Sequence, residues 1–269
     1  MILEQIRKTA SSISAATGGF TPEVGIILGT GLGSLADRIE VAYSLDYKDI
    51  EGFPISTVEG HAGRLIFGML GGRRVVAMQG RFHYYEGYTP QQVVFPVRVM
   101  GLLGVRWLFV SNAAGGINPD FRVGDLMVIT DHINLIPNPL VGPNIPELGP
   151  RFPDMSDAYD PVLIRKAGAV AAELGIPLRY GCYVGGTGPT FETRAEYVYF
   201  RTIGGDAAGM STTPEVIAAR HMGIPVFGVS VITNVALAGE KSSHEEVQIG
   251  GARSAEAMTR LFTEMVSGL

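Results

Sequence analysis

Short unbroken apolar stretches recur at 24–28, 64–67, 74–78, 107–110, 126–129, 179–184 and 226–232, most of them rich in Val, Ile, Leu or Phe. Apolarity that does not alternate predicts strands covered on both faces. Helical patterns occupy 89–103, 160–174, 194–203, 213–222 and 245–266, and 1–19 reads as an amphipathic first helix carrying Glu4, Arg7 and Lys8. Strand–helix alternation predicts an α/β sandwich with a central, largely parallel or mixed sheet flanked by helices. The stretch 137–153 holds six further prolines or glycines between Pro137 and Pro153, so it is expected to be a long irregular loop, a kind that is usually functional or disordered. No repeat, low-complexity linker or boundary interrupts the pattern, and 1–269 reads as a single domain.

Ligands of open α/β sheets lie outside the carboxyl ends of the strands, so the residues that follow each strand carry the functional signal. Here 24–28 runs into Gly29-Thr-Gly-Leu-Gly33, 74–78 into Gln79-Gly-Arg-Phe-His83, 107–110 into Ser111-Asn-Ala-Ala-Gly115, and 226–232 into Thr233-Asn234. Several strand ends converging on small and polar groups is a stronger signal than any one of them.

Composition narrows the partners. The net charge is -5, with 21 Lys and Arg against 26 Asp and Glu, and no basic run; this argues against nucleic acid or an anionic membrane surface. The single cysteine, Cys182, excludes an intramolecular disulfide framework and fits a reducing compartment. With no signal peptide and no apolar stretch of membrane-spanning length, the expectation is a cytoplasmic protein.

The segment Thr187-Gly-Pro-Thr-Phe-Glu-Thr193, followed by Gly209-Met-Ser-Thr-Thr-Pro-Glu215, sets a carboxylate beside an aromatic ring and hydroxyls between glycines. Glu192 with Phe191 suits a flat heterocycle bearing N–H donors, since a carboxylate taken out of water needs a donor partner. The alternative is a tight turn in which Thr190 to Thr193 opens the helix at 194. Gly29 to Gly33 followed by a short helix favours a small anion. A nominal G-x-G-x-x-A match at 31–36 raises a dinucleotide site, but no second strand ending in an acid at the required distance is evident. Arg81 and His83 fall on one side of an extended segment, where a guanidinium and an imidazole suit a phosphate; the alternative is a solvated Arg and a core His. Asn234 ends a strand and offers both a donor and an acceptor, although Asn is also a common turn former. The five histidines stand apart in sequence, and no metal is expected.

Taken together, these residues resemble the purine nucleoside phosphorylases of the trimeric type that act on 6-oxopurine nucleosides. The likeness runs through nearly the whole chain, on Gly29-Thr-Gly-Leu-Gly33, Val58-Glu-Gly-His61, Gln79-Gly-Arg-Phe-His83, Tyr85-Glu-Gly-Tyr88, Ser111-Asn-Ala-Ala-Gly115, Asn138-Pro-Leu140, Arg151-Phe-Pro-Asp-Met-Ser156, Gly188-Pro-Thr-Phe-Glu-Thr193, Gly209-Met-Ser-Thr-Thr-Pro-Glu215 and Ser243-His-Glu-Glu246. The resemblance implies phosphorolysis of inosine, guanosine or their deoxy forms to the free base and (deoxy)ribose 1-phosphate, with inorganic phosphate as cosubstrate and no other cofactor. It implies that Thr30, His61, Arg81, His83, the Ala113 N–H and Ser211 attend phosphate, and that Tyr85, Met210 and His244 line the ribose. Phe191, Glu192, Asn234 and the Ala113–Gly115 backbone would enclose the purine, and His83, Glu192 and Asn234 would carry the catalysis. It further implies a homotrimer. Thr30 and Thr190 stand where relatives commonly have Ser, and Leu148 stands where relatives often place a Phe that reaches a neighbouring subunit's ribose pocket.

Three rivals follow from particular residues. A 5′-methylthioadenosine phosphorylase would want an acid in place of Asn234 and an apolar residue in place of His244. An NAD-binding oxidoreductase would rest on 31–36. A non-catalytic nucleoside-binding protein would show no phosphate-dependent base release.

Overall fold

A computed structural model describes the backbone of residues 2–29, 33–55, 62–235 and 244–269, with side chains over the same ranges except 244–253. Among the described residues nine strands form one mixed sheet: β1 (Val24–Leu28), β2 (Glu40–Asp46), β3 (Arg64–Leu70), β4 (Arg73–Gln79), β5 (Trp107–Gly116), β6 (Leu126–Asn134), β7 (Leu178–Gly185), β8 (Ala207–Gly209) and β9 (Val226–Val235). The helices are α1 (Ile2–Ala16), α2 (Pro90–Val93), α3 (Phe95–Leu102), α4 (Pro161–Leu174), α5 (Arg194–Thr202), α6 (Thr213–His221) and α7 (His244–Ser267). The expected α/β sandwich is therefore observed.

Strand order is β2-β3-β4-β1-β5-β8-β7-β6-β9, and β5 also pairs directly with β9. That extra pairing closes β5, β8, β7, β6 and β9 into a ring, leaving β2, β3, β4 and β1 as an open wing. Within β1, Ile27 packs into one core cluster with Ile13 of α1 and Val97 of α3. Its neighbours Ile26 and Leu28 pack into the opposite cluster with Leu163 of α4 and Phe262 of α7. Both faces of this strand are covered, which is why its sequence is unbroken apolar residue after apolar residue.

Two strands carried no such signal. Six of the seven residues of β2 are exposed, and its apolar residues Val41, Tyr43 and Leu45 alternate with others, so it shows no unbroken apolar run. β8 is only three residues long. β2 ends in Asp46 but pairs antiparallel with β3, so the glycine segment after β1 does not open a parallel βαβ unit of the dinucleotide-binding kind. The helix expected over 89–103 is two helices joined at Val94, because Pro96 has no amide hydrogen to continue the ladder. The stretch 137–153 contains no helix or strand, as its composition predicts, and is built from turns such as Leu148 N–H to the Ile145 carbonyl. No helix among the described residues is long and apolar enough to cross a membrane.

Candidate active site

A cavity of about 470 Å³ opens where the carboxyl ends of β1, β4, β5 and β9 meet β8 and the segment before α5. It brings together Arg81, His83, Tyr85, Ala113, Gly115, Phe191, Glu192, Met210, Ser211 and Asn234, ten of the thirteen residues singled out in the sequence. Thr30 and His61 lie outside the described residues, as does the side chain of His244, whose backbone opens α7.

At one end of the cavity Arg81 is 1% exposed. Its Nε and Nη2 donate to the two carboxylate oxygens of Glu215 at 3.1 and 2.9 Å, and Nη1 donates to the Ser111 carbonyl at 2.6 Å. The same Nη1 lies 3.4 Å from the Ser211 hydroxyl. The guanidinium fork is thus held by protein, and Arg81 contributes to the cavity from its Nη1 side. Ser211 is positioned in turn. Its N–H donates to the Tyr183 hydroxyl at 3.3 Å, and its Oγ lies 3.2 Å from that of Thr212. Thr212 has φ 70°, an uncommon and strained conformation for a β-branched residue, and the Asn112 amide donates to its hydroxyl at 2.9 Å.

Beside this end, the Glu86 carboxylate accepts from both the backbone N–H and Nδ1 of His83, at 2.8 and 3.0 Å. A carboxylate on Nδ1 fixes the tautomer and the plane of the imidazole. The ring stacks on Tyr85 with centroids 4.6 Å apart. Burial, with the Glu86 charge in second place, pushes the Tyr85 phenol up to about 12, so it remains a neutral donor near pH 7.

At the other end the Phe191 ring is 40% exposed and lines the cavity next to Glu192. Burial raises the Glu192 pKa above the ordinary carboxylate value, partly countered by its own backbone N–H and the Tyr197 hydroxyl. The helix-opening reading of this segment is observed. Thr193 caps α5, its hydroxyl accepting from the Glu196 N–H, while Glu192 remains in the cavity wall. The glycines serve packing. A Cβ at Gly209 would strike the Tyr183 hydroxyl, and one at Gly188, where φ is +60°, would strike the Met210 sulfur. Asn234 reaches the wall through a register shift. β5 and β9 pair Ala114 with Ile232 and then Gly115 with Asn234, a bulge that sets Asn234 against Gly115. The Thr233 hydroxyl donates to the Asn234 side-chain oxygen at 3.3 Å.

Sequence reasoning passed over Glu215, Glu86, Tyr183, Tyr197 and Asn112. Glu86 and Glu215 stand inside quoted motifs, three residues after His83 and four after Ser211, and that proximity was the available signal. Cys182 is partly buried, and desolvation pushes its thiol up to about 11, which suits a packing residue and no nucleophile. Among the described residues no cluster of three or more His, Cys, Asp or Glu side chains could hold a metal ion.

The cavity thus gathers the guanidinium, imidazole and hydroxyl of Arg81, His83 and Ser211 and the ring, carboxylate and amide of Phe191, Glu192 and Asn234 in one wall. Residues 23–267 match the family model described as the phosphorylase superfamily. The chain is 56% identical over 230 residues to purine nucleoside phosphorylase 1 of Bacillus subtilis (strain 168), covering 84% of this chain and 85% of that protein. It is 48% identical over 276 residues to purine nucleoside phosphorylase of Rattus norvegicus, covering 99% and 95%. Among solved structures, Schistosoma mansoni purine nucleoside phosphorylase in complex with inosine superposes with a TM-score of 0.93 at 45% identity, covering 99% of this chain and 96% of that one. The chain belongs to the phosphorylase superfamily and, within it, to the purine nucleoside phosphorylases.

Proposed function

We propose that this cavity carries out the reversible phosphorolysis of inosine, guanosine and their 2′-deoxy analogues, transferring the pentosyl group from purine to inorganic phosphate. The observation that carries the reading is the two-ended cavity: Arg81, His83 and Ser211 at one end, Phe191, Glu192 and Asn234 at the other, and Tyr85 with Met210 between.

Breaking the glycosidic bond leaves an oxocarbenium-like sugar and an electron-rich purine, so opposite charges need stabilising at two places. Phosphate held by Arg81, His83, Ser211 and the Ala113 N–H, with Thr30 and His61, offsets the sugar cation and attacks the anomeric carbon. Fixed orientation turns an encounter into proximity. The Tyr85 phenol and Met210 flank the ribose, with His244 at its 5′-hydroxyl. Glu192 accepts the purine N1–H, Phe191 stacks on the ring, and Asn234 bonds the base as negative charge collects there. Asn234 favours a 6-oxopurine over the 6-aminopurine of a methylthioadenosine phosphorylase, since its amide donates to O6 where a carboxylate would repel it.

Phosphate is the only cosubstrate in this scheme. The enzyme is proposed to work in the cytoplasm as a homotrimer, which light scattering on the active protein tests: a fully active monomer excludes it. Base release from inosine, guanosine and adenosine, measured with and without phosphate, tests the reaction. Phosphate-dependent release from the two oxopurines is expected, and release independent of phosphate, or none, overturns the reading.

A further inference from the structure

A second cavity of about 290 Å³ lies away from the first, between α1, α3, the end of α6 and the 137–153 loop. Most of its wall is apolar, with Ile6, Val94, Phe95, Leu140, Ile145 and Leu148 among the lining residues. Gln91, Asn144 and His221 add polar groups, and Arg98 adds a charge. Arg98 is 6% exposed and takes part in none of the ion pairs among the described residues. Its Nη1 donates to the Ala218 carbonyl at 3.1 Å and to His221 Nδ1 at 2.9 Å.

Because Arg98 can only donate, His221 accepts at Nδ1, and its Nε2–H donates to the Asn144 side-chain oxygen at 3.2 Å. The imidazole is therefore neutral, and burial, followed by the Arg98 charge, lowers its pKa. Arg98 is thus the single charge among the described residues that line this cavity. Burial lowers its own pKa to about 10, which still leaves it fully protonated near neutrality. Its Nε and Nη2 make no hydrogen bond in the structure, yet they are not among the sealed, unpartnered buried atoms. In a residue so deeply buried, the space those donors meet is the cavity that Arg98 lines.

A guanidinium withdrawn from water without a counter-charge is costly, and an anion seated here offsets that cost. The other polar side chains are already engaged. The Gln91 amide donates to the Val141 carbonyl at 3.2 Å, and the Asn144 amide to the Gly149 carbonyl at 3.1 Å. One cation with one open donor edge matches a monocarboxylate, whose two oxygens fit the fork, and lacks the donors that a phosphate dianion requires. We propose that this cavity is a binding site for a small organic monocarboxylate, its apolar body against Phe95, Leu140 and Leu148 and its carboxylate on Arg98.

The test is calorimetric titration of the assembled, full-length protein with hexanoate, hexanamide and hexylammonium, in saturating inorganic phosphate so that the first cavity is filled. Hexanoate should bind saturably and roughly tenfold or more tighter than hexanamide, the range for a hydrogen bond to a charged group, while hexylammonium should not bind. The Arg98→Gln variant should erase the preference for the acid. Should that variant fail to fold, Leu140→Trp fills the cavity from its less buried side, and it should abolish hexanoate binding with phosphorolysis unaltered. Equal affinity for hexanamide, or no saturable hexanoate binding to folded wild type because a neighbouring copy fills the cavity, overturns the proposal. Undiminished binding by Leu140→Trp overturns it as well.

Discussion

Arg81 and Glu215 meet edge to edge, Nε to Oε1 at 3.1 Å and Nη2 to Oε2 at 2.9 Å, with side chains 1% and 3% exposed. The pair ties the end of β4 to the first turn of α6, directly beneath Ser211. Removing either partner strands a buried charge, so Arg81→Ala and Glu215→Ala should each lower the free energy of unfolding by about 3–5 kcal/mol. The double replacement Arg81→Met with Glu215→Leu should be less unstable than either single alanine variant in denaturant titrations. A double variant as unstable as the sum of the singles would show that the two residues act separately.

Loss of Arg81 has a second consequence. Its Nη1 edge points toward Ser211, so a folded Arg81→Ala protein should show a severely raised phosphate KM or a severely lowered rate. Unchanged phosphate dependence would remove Arg81 from the anion site.

Phe191 and Leu148 should separate function from stability. Phe191 is 40% exposed in the first cavity, whereas Leu148 is 5% exposed and belongs to the core of its own chain. Leu148→Ala is therefore expected to cost about 2–5 kcal/mol in stability, and Phe191→Ala to leave stability nearly unchanged while raising the nucleoside KM. Steady-state kinetics beside thermal unfolding checks both; a Leu148→Ala protein of normal stability with a larger kinetic defect than Phe191→Ala would reverse the assignment.

Base choice is expected to follow Asn234. Asn234→Asp should lower kcat/KM for inosine and raise it for adenosine, because an ionised carboxylate loses the donor to O6 and accepts from a 6-amino group. Unpaired polar groups in a closed site cost about 1–3 kcal/mol, so the ratio should move by roughly one to two decades. An unchanged ratio with parallel losses on both substrates would mean that Asn234 serves only the strand.

Glu192 should impose a pH signature. Its folded pKa is raised, so burial of the ionised form destabilises the protein at neutral pH, and that penalty disappears below the ordinary carboxylate pKa, where the group is protonated in both states. Glu192→Gln is accordingly expected to unfold at a higher temperature than wild type at pH 7 and at a similar one near pH 4. In the proposed role the carboxylate is the form that accepts N1–H, so the wild-type acid limb of kcat/KM for inosine should lie above the usual carboxylate range, and Glu192→Gln should lose about tenfold or more. A Gln variant less stable at pH 7 would contradict the sign.

The strands covered on both faces and the periodic helices were readable because each pattern is local: β1 is found at the bounds its apolar run predicts, and α4 begins after its capping Asp160. The residues of the cavity were readable for a related reason, since strand-end loops concentrate polar groups where the fold gathers them. Beyond that reach lay β2, a mostly exposed edge strand whose apolar residues alternate instead of running unbroken, and β8, three residues long, which pairs with β5 at two positions and with β7 at three. Tertiary structure alone decided that β5 pairs with β9 and closes the ring, and that the bulge there puts Asn234 beside Gly115. It alone decided that Arg81 spends its fork on Glu215, 134 positions away, and that Arg98 faces an apolar cavity whose described lining holds no carboxylate. Local sequence determines which backbone each segment favours and which chemistry it carries. Partners so far apart in the chain are chosen only when burial makes every charged and polar group find a counterpart.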